Sequence, residues 1–202
     1  MPGRIVVLIS GSGSNMEALA AACVAGAVPG EVVAVVADRD CVGLRAADKL
    51  GLEQRLVEPE RYGSRDEWSA ALRDVVKGHQ PDLVVSAGFM RILAPAFVDA
   101  FSGRLINLHP ALLPAFRGAH AVRDALDAGA KVTGSTIHFI DHEVDHGPII
   151  LQEAVRIEPF DTEDMLHERI KKVEHRLLPK ACRLFLEGKL RIEDGRVMVE
   201  SS

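Results

Sequence analysis

Short apolar runs alternate with amphipathic stretches along the whole chain. Arg4 to Ile9 is almost wholly apolar, and a short run of β-branched and aliphatic residues ending in Ser-Gly has the pattern of a strand buried on both faces. Gly11-Ser12-Gly13-Ser14-Asn15 then turns the chain into a helix, in which Met16, Leu19, Ala20 and Cys23 recur at helical spacing. The alternation repeats: Val32 to Ala37 reads as a strand, Gly43 to Leu50 as a helix, Gln54 to Val57 as a strand and Pro59 to Ser64 as a loop. Ser64 and Glu67 have the spacing of a capping box, ahead of a helix with Trp68, Leu72, Val75 and Val76 inward. Asp82 to Ala87 is the next strand, Gly88 to Leu93 an apolar loop, and Pro95 opens a short helix through Phe101.

Strand and helix in regular succession predict an α/β fold: three layers, a Rossmann-like and mainly parallel sheet, and right-handed crossovers. The second half modifies this. Leu105, Ile106 and Leu108 belong to a buried strand that also carries Asn107 and His109 and stops at Pro110. A helix through Asp127 follows, then a strand over Val132 to Ile140, a polar loop over 141–148 and a strand over Ile149 to Ile157, which supplies an antiparallel edge. Asp161 is placed to cap a long helix, with Phe160 and Met165 as its hydrophobic staple. Leu166, Ile170, Val173, Leu177, Ala181 and Phe185 would be its buried stripe, and Pro179 should kink it. Lys189 to Ile192 and Arg196 to Val199 flank Glu193-Asp194-Gly195 as a terminal hairpin.

Length and composition narrow the setting. A chain of 202 residues fits one domain able to bury its own core. Its three cysteines, Cys23, Cys41 and Cys182, are widely spaced and form no metal-binding pair, which fits a reducing, cytoplasmic compartment. No stretch has the length of a membrane span, and the start reads as a first strand rather than a signal peptide. A net charge of −5 gives no general attraction to nucleic acid or membrane. A bound phosphate would have to be held locally.

Two places can supply such chemistry. The glycine turn at 11–15 can lay backbone N–H groups against a phosphate at a helix start, with Ser12, Ser14 and Asn15 as further donors. Met16 stands where a dinucleotide fingerprint requires its third glycine, so one phosphate monoester suits the turn better. Asp38, at the end of the second strand, is the counterargument, because an acid there can hold the ribose of NAD; Asp38-Arg39-Asp40 looks more like a solvated loop. The other place is the strand end at 107–109. Residues two apart share a face, so Asn107 and His109 would stand side by side where an open α/β sheet keeps its reactive groups. An acid is needed to orient the imidazole and raise its basicity, and Asp145, just before Gly147-Pro148, is the best placed. His138, His142 and His146 invite a metal, but the β pattern and the Gly-Pro pair deny them helical spacing, so no metal is expected.

Taken together, SGSGSN at 10–15, AGFMRIL at 87–93, INLHPALLPAFRG at 106–118 and DHEVDHGPIILQ at 141–152 resemble the formyltransferase family, within it the branch acting on glycinamide ribonucleotide in purine synthesis. The resemblance covers essentially the whole chain. It implies the formyltransferase fold over 1–202, with a phosphate-binding amino-terminal half (1–100) and a catalytic, folate-binding second half (101–202). It further implies formyl transfer from 10-formyltetrahydrofolate, as cosubstrate, to an amine, in a monomer or homodimer. By resemblance Asn107, His109 and Asp145 are catalytic, and Gly13, Ser14 and Asn15 hold the substrate phosphate. Lys171 and Glu174 also meet that substrate, although by residue pattern alone both would sit on a solvated helix face. Arg65, Met90, Arg91, Ile92, Leu93 and Asp141, together with Asn107 and Asp145, contact the folate. Ala111 stands where relatives often carry serine, and His146 where a smaller residue is frequent.

In this chemistry His109 would be cationic near neutral pH with the support of Asp145, and would share an oxyanion with the Asn107 amide. Three rival functions are weighed against it. A tRNA-directed formyltransferase is expected to need a further carboxyl-terminal domain, and a formyltetrahydrofolate hydrolase a further amino-terminal one; 202 residues leave room for neither. A nucleotide-binding module rests only on Gly11, Gly13 and Asp38 and leaves the later motifs unexplained.

Overall fold

The computed structural model describes residues 1–200. Five strands run parallel, β1 (Gly3–Ile9), β2 (Gly30–Ala37), β3 (Gln54–Leu56), β4 (Leu83–Ser86) and β5 (Leu105–His109). Two antiparallel strands extend the edge, β6 (Val132–Phe139) and β7 (Ile149–Arg156), giving the order β3-β2-β1-β4-β5-β6-β7. The order reverses at β1, whose neighbours are β2 and β4. Such a switch point opens a crevice beyond the carboxyl ends of the strands.

Helices cover both faces, as a parallel sheet requires. On one side α1 (Ser14–Val24), α2 (Val42–Lys49), α5 (Ala121–Asp127) and α6 (Glu163–Leu186) pack over Ile5, Val7 and Ile9 of β1. On the other, α3 (Arg65–Gly78) and α4 (Pro95–Ala100) pack over Val6 and Leu8. Alternate residues of β1 therefore serve two cores, and all five are fully buried. At roughly 1.5–3 kcal/mol for each large apolar side chain removed from water, this strand is a main source of stability. Trp68 anchors α3 by burying its ring and donating its indole N–H to the Val57 carbonyl at 2.8 Å. No helix among the described residues is long and apolar enough to cross a membrane.

Helix and strand boundaries follow the sequence pattern closely, and the exceptions have local causes. The Ser64 hydroxyl caps α3 by accepting from the Glu67 N–H at 3.2 Å, but the Glu67 carboxylate reaches back one residue further than expected, to the Gly63 N–H at 3.0 Å. Thr162 rather than Asp161 caps α6, accepting from the Met165 N–H, because Asp161 is drawn into a paired hydrogen bond with Arg169. The expected staple is absent: Phe160 is 90 % exposed and Met165 is 54 % exposed. The helix continues through Pro179 to Leu186, so the proline does not end it. After it, β8 (Leu190–Glu193) and β9 (Arg196–Val199) form the terminal hairpin, with Asp194 and Gly195 both at positive φ as a primed two-residue turn requires.

Candidate active site

Asn107 and His109 lie on one face at the carboxyl end of β5, the same face as Leu105. The antiparallel register pairs Asn107 with His138 of β6, which brings a second imidazole to that face. The loop after β6 returns Asp145 to the same point, at a φ of 50°. One carboxylate oxygen of Asp145 lies 3.3 Å from His109 Nδ1 and accepts from the Gly118 N–H at 2.8 Å. The other accepts from Asn107 Nδ2 at 3.3 Å. The three residues expected to act together are thus adjacent, although Asp145 is 36 positions or more away in sequence from the strand that carries the others.

The hydrogen bonds fix the proton positions. His109 Nε2 lies 2.8 Å from the Phe116 carbonyl, which can only accept, so Nε2 carries a hydrogen and Nδ1 faces Asp145. His138 Nδ1 donates in the same way to the Phe139 carbonyl at 2.8 Å, leaving Nε2 to accept from Asn107 Nδ2 at 3.2 Å. Burial pushes the His109 imidazole below its ordinary value, and Asp145 and the Phe116 carbonyl oppose this without overcoming it. Burial therefore favours the neutral ring in the resting site, against the pull of Asp145 toward the cation expected from the sequence. Burial also pushes the Asp145 carboxyl up, but its polar neighbours, the donating Gly118 N–H among them, outweigh it and hold Asp145 low. It remains ionised, beside a ring whose Nδ1 is free to take a proton.

A cleft of about 360 Å³ opens over these groups, lined by Met90 to Leu93 on one side and by Asp141 to Asp145 on the other. A second cavity, sharing Met90, Arg91 and Ile92, continues to Arg65 and Trp68 at the start of α3. Met90 and Ile92 are each 63 % exposed, so the loop presents apolar side chains to the opening. Arg65 lines that cavity, with its anionic partner Asp66 at 3.9 Å. Asp141 is engaged by His146, whose Nδ1 lies 2.8 Å from it, so this histidine braces the loop.

The glycine turn lies at the neighbouring strand end. Gly13 adopts a φ of 79°, and a side chain there would meet the backbone of Gly43 at 2.7 Å. Its lack of a side chain is therefore needed for packing of α1 on α2, whether or not the turn binds anything. Asn15, in the first turn of α1, donates to Glu174 of α6 at 2.8 Å. Sequence periodicity puts Glu174 on a solvated face, yet it is 3 % exposed. It faces α1, where the sheet itself does not reach. Lys171, one turn earlier, is paired with Glu168 and close enough to Glu174 for its charge to act there.

Burial pushes the Glu174 carboxyl up, against the smaller pulls of the Asn15 amide and the Lys171 charge. A carboxyl raised on folding contributes stability that is present below its unfolded pKa and lost as pH rises through its folded one. Glu174→Gln keeps the shape and the acceptor for Asn15 but cannot ionise. Its melting temperature relative to wild type is expected to rise as pH increases above the ordinary carboxyl value of 4.5. A difference independent of pH would show that the ionised carboxylate is fully compensated in the fold.

Asp38 differs most from expectation. It is fully buried, not part of a solvated loop, and its carboxylate is taken up by Arg39 at 2.9 Å and Arg91 at 2.7 Å. At zero exposure it is out of reach of a ribose. His138 was the residue that sequence reasoning missed as a member of the site. Its signal was present in the strand period, since Thr136 and His138 share a face, but only the pairing register places that face beside Asn107.

The chain is similar to known proteins along most of its length. A phosphoribosylglycinamide formyltransferase of Mycobacterium tuberculosis is 49 % identical over 180 residues, which is 89 % of this chain and 83 % of the relative. One of Escherichia coli is 39 % identical over 198 residues, 98 % of this chain and 93 % of the relative. The crystal structure of glycinamide ribonucleotide transformylase 1 from Symbiobacterium toebii superposes with a TM-score of 0.97 at 45 % identity, covering 99 % of this chain and 95 % of that one. Since residues 3–182 also match the formyl transferase family model, a span that contains the strand-end amide, both imidazoles and the carboxylate, the chain belongs to the formyl transferase family.

Proposed function

We propose that this chain transfers the formyl group of 10-formyltetrahydrofolate to the amine of glycinamide ribonucleotide in purine synthesis. The observation that carries the reading is the His109 ring, held between a backbone carbonyl and an ionised carboxylate on the floor of a two-walled cleft. A ring protonated on both nitrogens satisfies both neighbours, whereas the neutral ring leaves Nδ1 bare against Asp145. The site is therefore arranged to receive one proton.

Direct transfer needs both reactants aligned at this point. The amine nitrogen bonds to the formyl carbon, an oxyanion forms, the carbon–nitrogen bond to the folate breaks, and the folate nitrogen gains a proton. His109 accepts the amine proton, the resulting imidazolium stabilises the oxyanion by charge, and the same proton passes to the folate nitrogen as the carbon–nitrogen bond breaks and the carbonyl re-forms, which returns the ring to its neutral state. Asn107 adds a neutral N–H donor, exchanging one of its two long bonds, 3.2 and 3.3 Å, for the substrate oxygen. Asp145 holds the ring and balances its charge. The apolar Met90 to Leu93 loop and the Asp141 loop fit a flat heterocycle, and Arg65, at the end of the second cavity, fits a carboxylate tail. In the amino-terminal half Gly13, Ser14 and Asn15 meet the ribonucleotide phosphate, while Lys171 and Glu174, tied to Asn15, meet the rest of that substrate.

Purified protein treated with chelator, given both substrates and no ATP, is expected to form formylated ribonucleotide and tetrahydrofolate in equal amounts. Formation of tetrahydrofolate and free formate alone would move the assignment to a formyltetrahydrofolate hydrolase. Absence of any reaction on the folate would remove the function altogether.

A further inference from the structure

The loop from Gly88 to Leu93 forms one wall of the cleft, and its own hydrogen bonds do not fix it. Its ties run to the end of β1 and the end of β2. Ser10 donates its N–H to the Gly88 carbonyl at 3.1 Å and accepts the Met90 N–H on its hydroxyl at 2.8 Å. The Ser10 side chain is also among the groups that hold the Asp38 carboxyl low, so it lies beside that carboxylate. Asp38 also takes Arg91 Nε at 2.7 Å and Arg39 at 2.9 Å, at zero exposure. Glu60 holds the outer side of Arg91 at 3.4 Å. One buried carboxylate therefore fixes two consecutive loop residues, Met90 through Ser10 and Arg91 directly. The neighbouring Ile92, like Met90, keeps its apolar side chain largely exposed.

Burying a charge is costly unless it is fully paired, and a surface loop gains little stability from it. The arrangement serves preorganisation: exposed apolar side chains and a fixed backbone are ready for a ligand that would otherwise have to order the loop. Resting on the formyltransferase reading above, we propose that Asp38 is a positioning residue for the folate cosubstrate, setting affinity for the pterin-bearing ligand through Ser10 and Arg91 without touching it.

The geometry separates the two substrates, because the glycine turn and Glu174 make no bond to Asp38. Asp38→Asn preserves size but leaves two guanidinium groups facing an amide. It is expected to raise both the KM and the directly titrated Kd for 10-formyltetrahydrofolate by about tenfold or more, with KM for the ribonucleotide and kcat changed by less than about threefold. Ser10→Ala, which removes a hydroxyl and adds nothing, is expected to shift the same constants by a smaller factor. Ser10→Thr, which retains the hydroxyl, should restore them. Equal rises in both KM values, or no change in folate affinity in either variant, would overturn the proposal. If Asp38→Asn does not fold, the serine pair decides. Folate titration remains readable even in a protein that forms no formylated ribonucleotide, so failure of the functional reading and failure of this positioning role give different results.

Discussion

Replacing His109 with alanine is expected to lower kcat by about 10²–10³-fold while changing the KM for either substrate only a few-fold, because loss of one preorganised group at a developing oxyanion has that size. The ring acts in two ways on one pathway. It takes the amine proton and then, as a cation in a buried setting, opposes the charge on the oxygen. Neither role exists in the ground state, so binding should not register its loss. Asn107→Ala should fall in the same range or somewhat below, since a neutral donor is removed rather than a charge. Single-turnover rates with both substrates saturating are the measurement to make, together with urea midpoints for each variant. The His109 variant leaves the Phe116 carbonyl without its partner, so a displaced 110–118 loop is its main complication. His109→Gln retains a donor for that carbonyl and should stay slow if the proton role dominates. Recovery of most of the rate in that variant would show that the ring serves only to hold the loop.

The sequence announced the sheet because the strands of a doubly covered sheet leave little room for polar residues. The strand at β1 is apolar on both faces, and no helical spacing can be drawn through it. The catalytic strand was legible for the opposite reason: Asn107 and His109 are out of place in an apolar run, and a polar pair there needs a cause outside the core. Asp145 was found by its place before Gly147-Pro148, and Gly147 is indeed closely packed, since a side chain there would meet the Phe139 carbonyl.

Residues whose environment is built by distant segments were not legible. Glu174 is buried only because α1 packs on α6, through a contact spanning 159 positions. Asp38 reads as a turn residue because two of its three partners lie well away in sequence, Ser10 just past β1 and Arg91 on the cleft loop. The balance of forces on His109 was only half legible for a related cause: the supporting acid was identified, but the burial that opposes it comes with the 110–118 loop, whose Phe116 carbonyl meets the ring. Phe116 does this from a φ of 54°, unusual for a bulky residue and not suggested by its sequence neighbours.

Asp145→Asn should separate the charge of the carboxylate from its shape. Asp145 sits at a φ of 50°, which asparagine tolerates, and an amide oxygen can still accept from the Gly118 N–H, so the backbone should stay in place. The negative charge that raises the His109 pKa against burial is lost, and the imidazole pKa must therefore fall further. With a neutral ring as proton acceptor, activity is lost as pH drops through that pKa. The acidic limb of the rate profile should accordingly move to lower pH in the variant. Its plateau should drop by about a hundredfold, because a less basic ring takes the proton less readily and an unbalanced imidazolium is costly. His109→Ala and Asp145→Asn combined should cost less than the sum of their separate barriers, since the acid works largely through the ring. Single-turnover rates against pH for the two single variants and the double variant test all three statements. Strict additivity with an unmoved acidic limb would remove Asp145 as the partner of His109. A limb that fell on the alkaline side instead would mean that the ring enters the reaction already protonated, with bound substrate reversing the effect of burial.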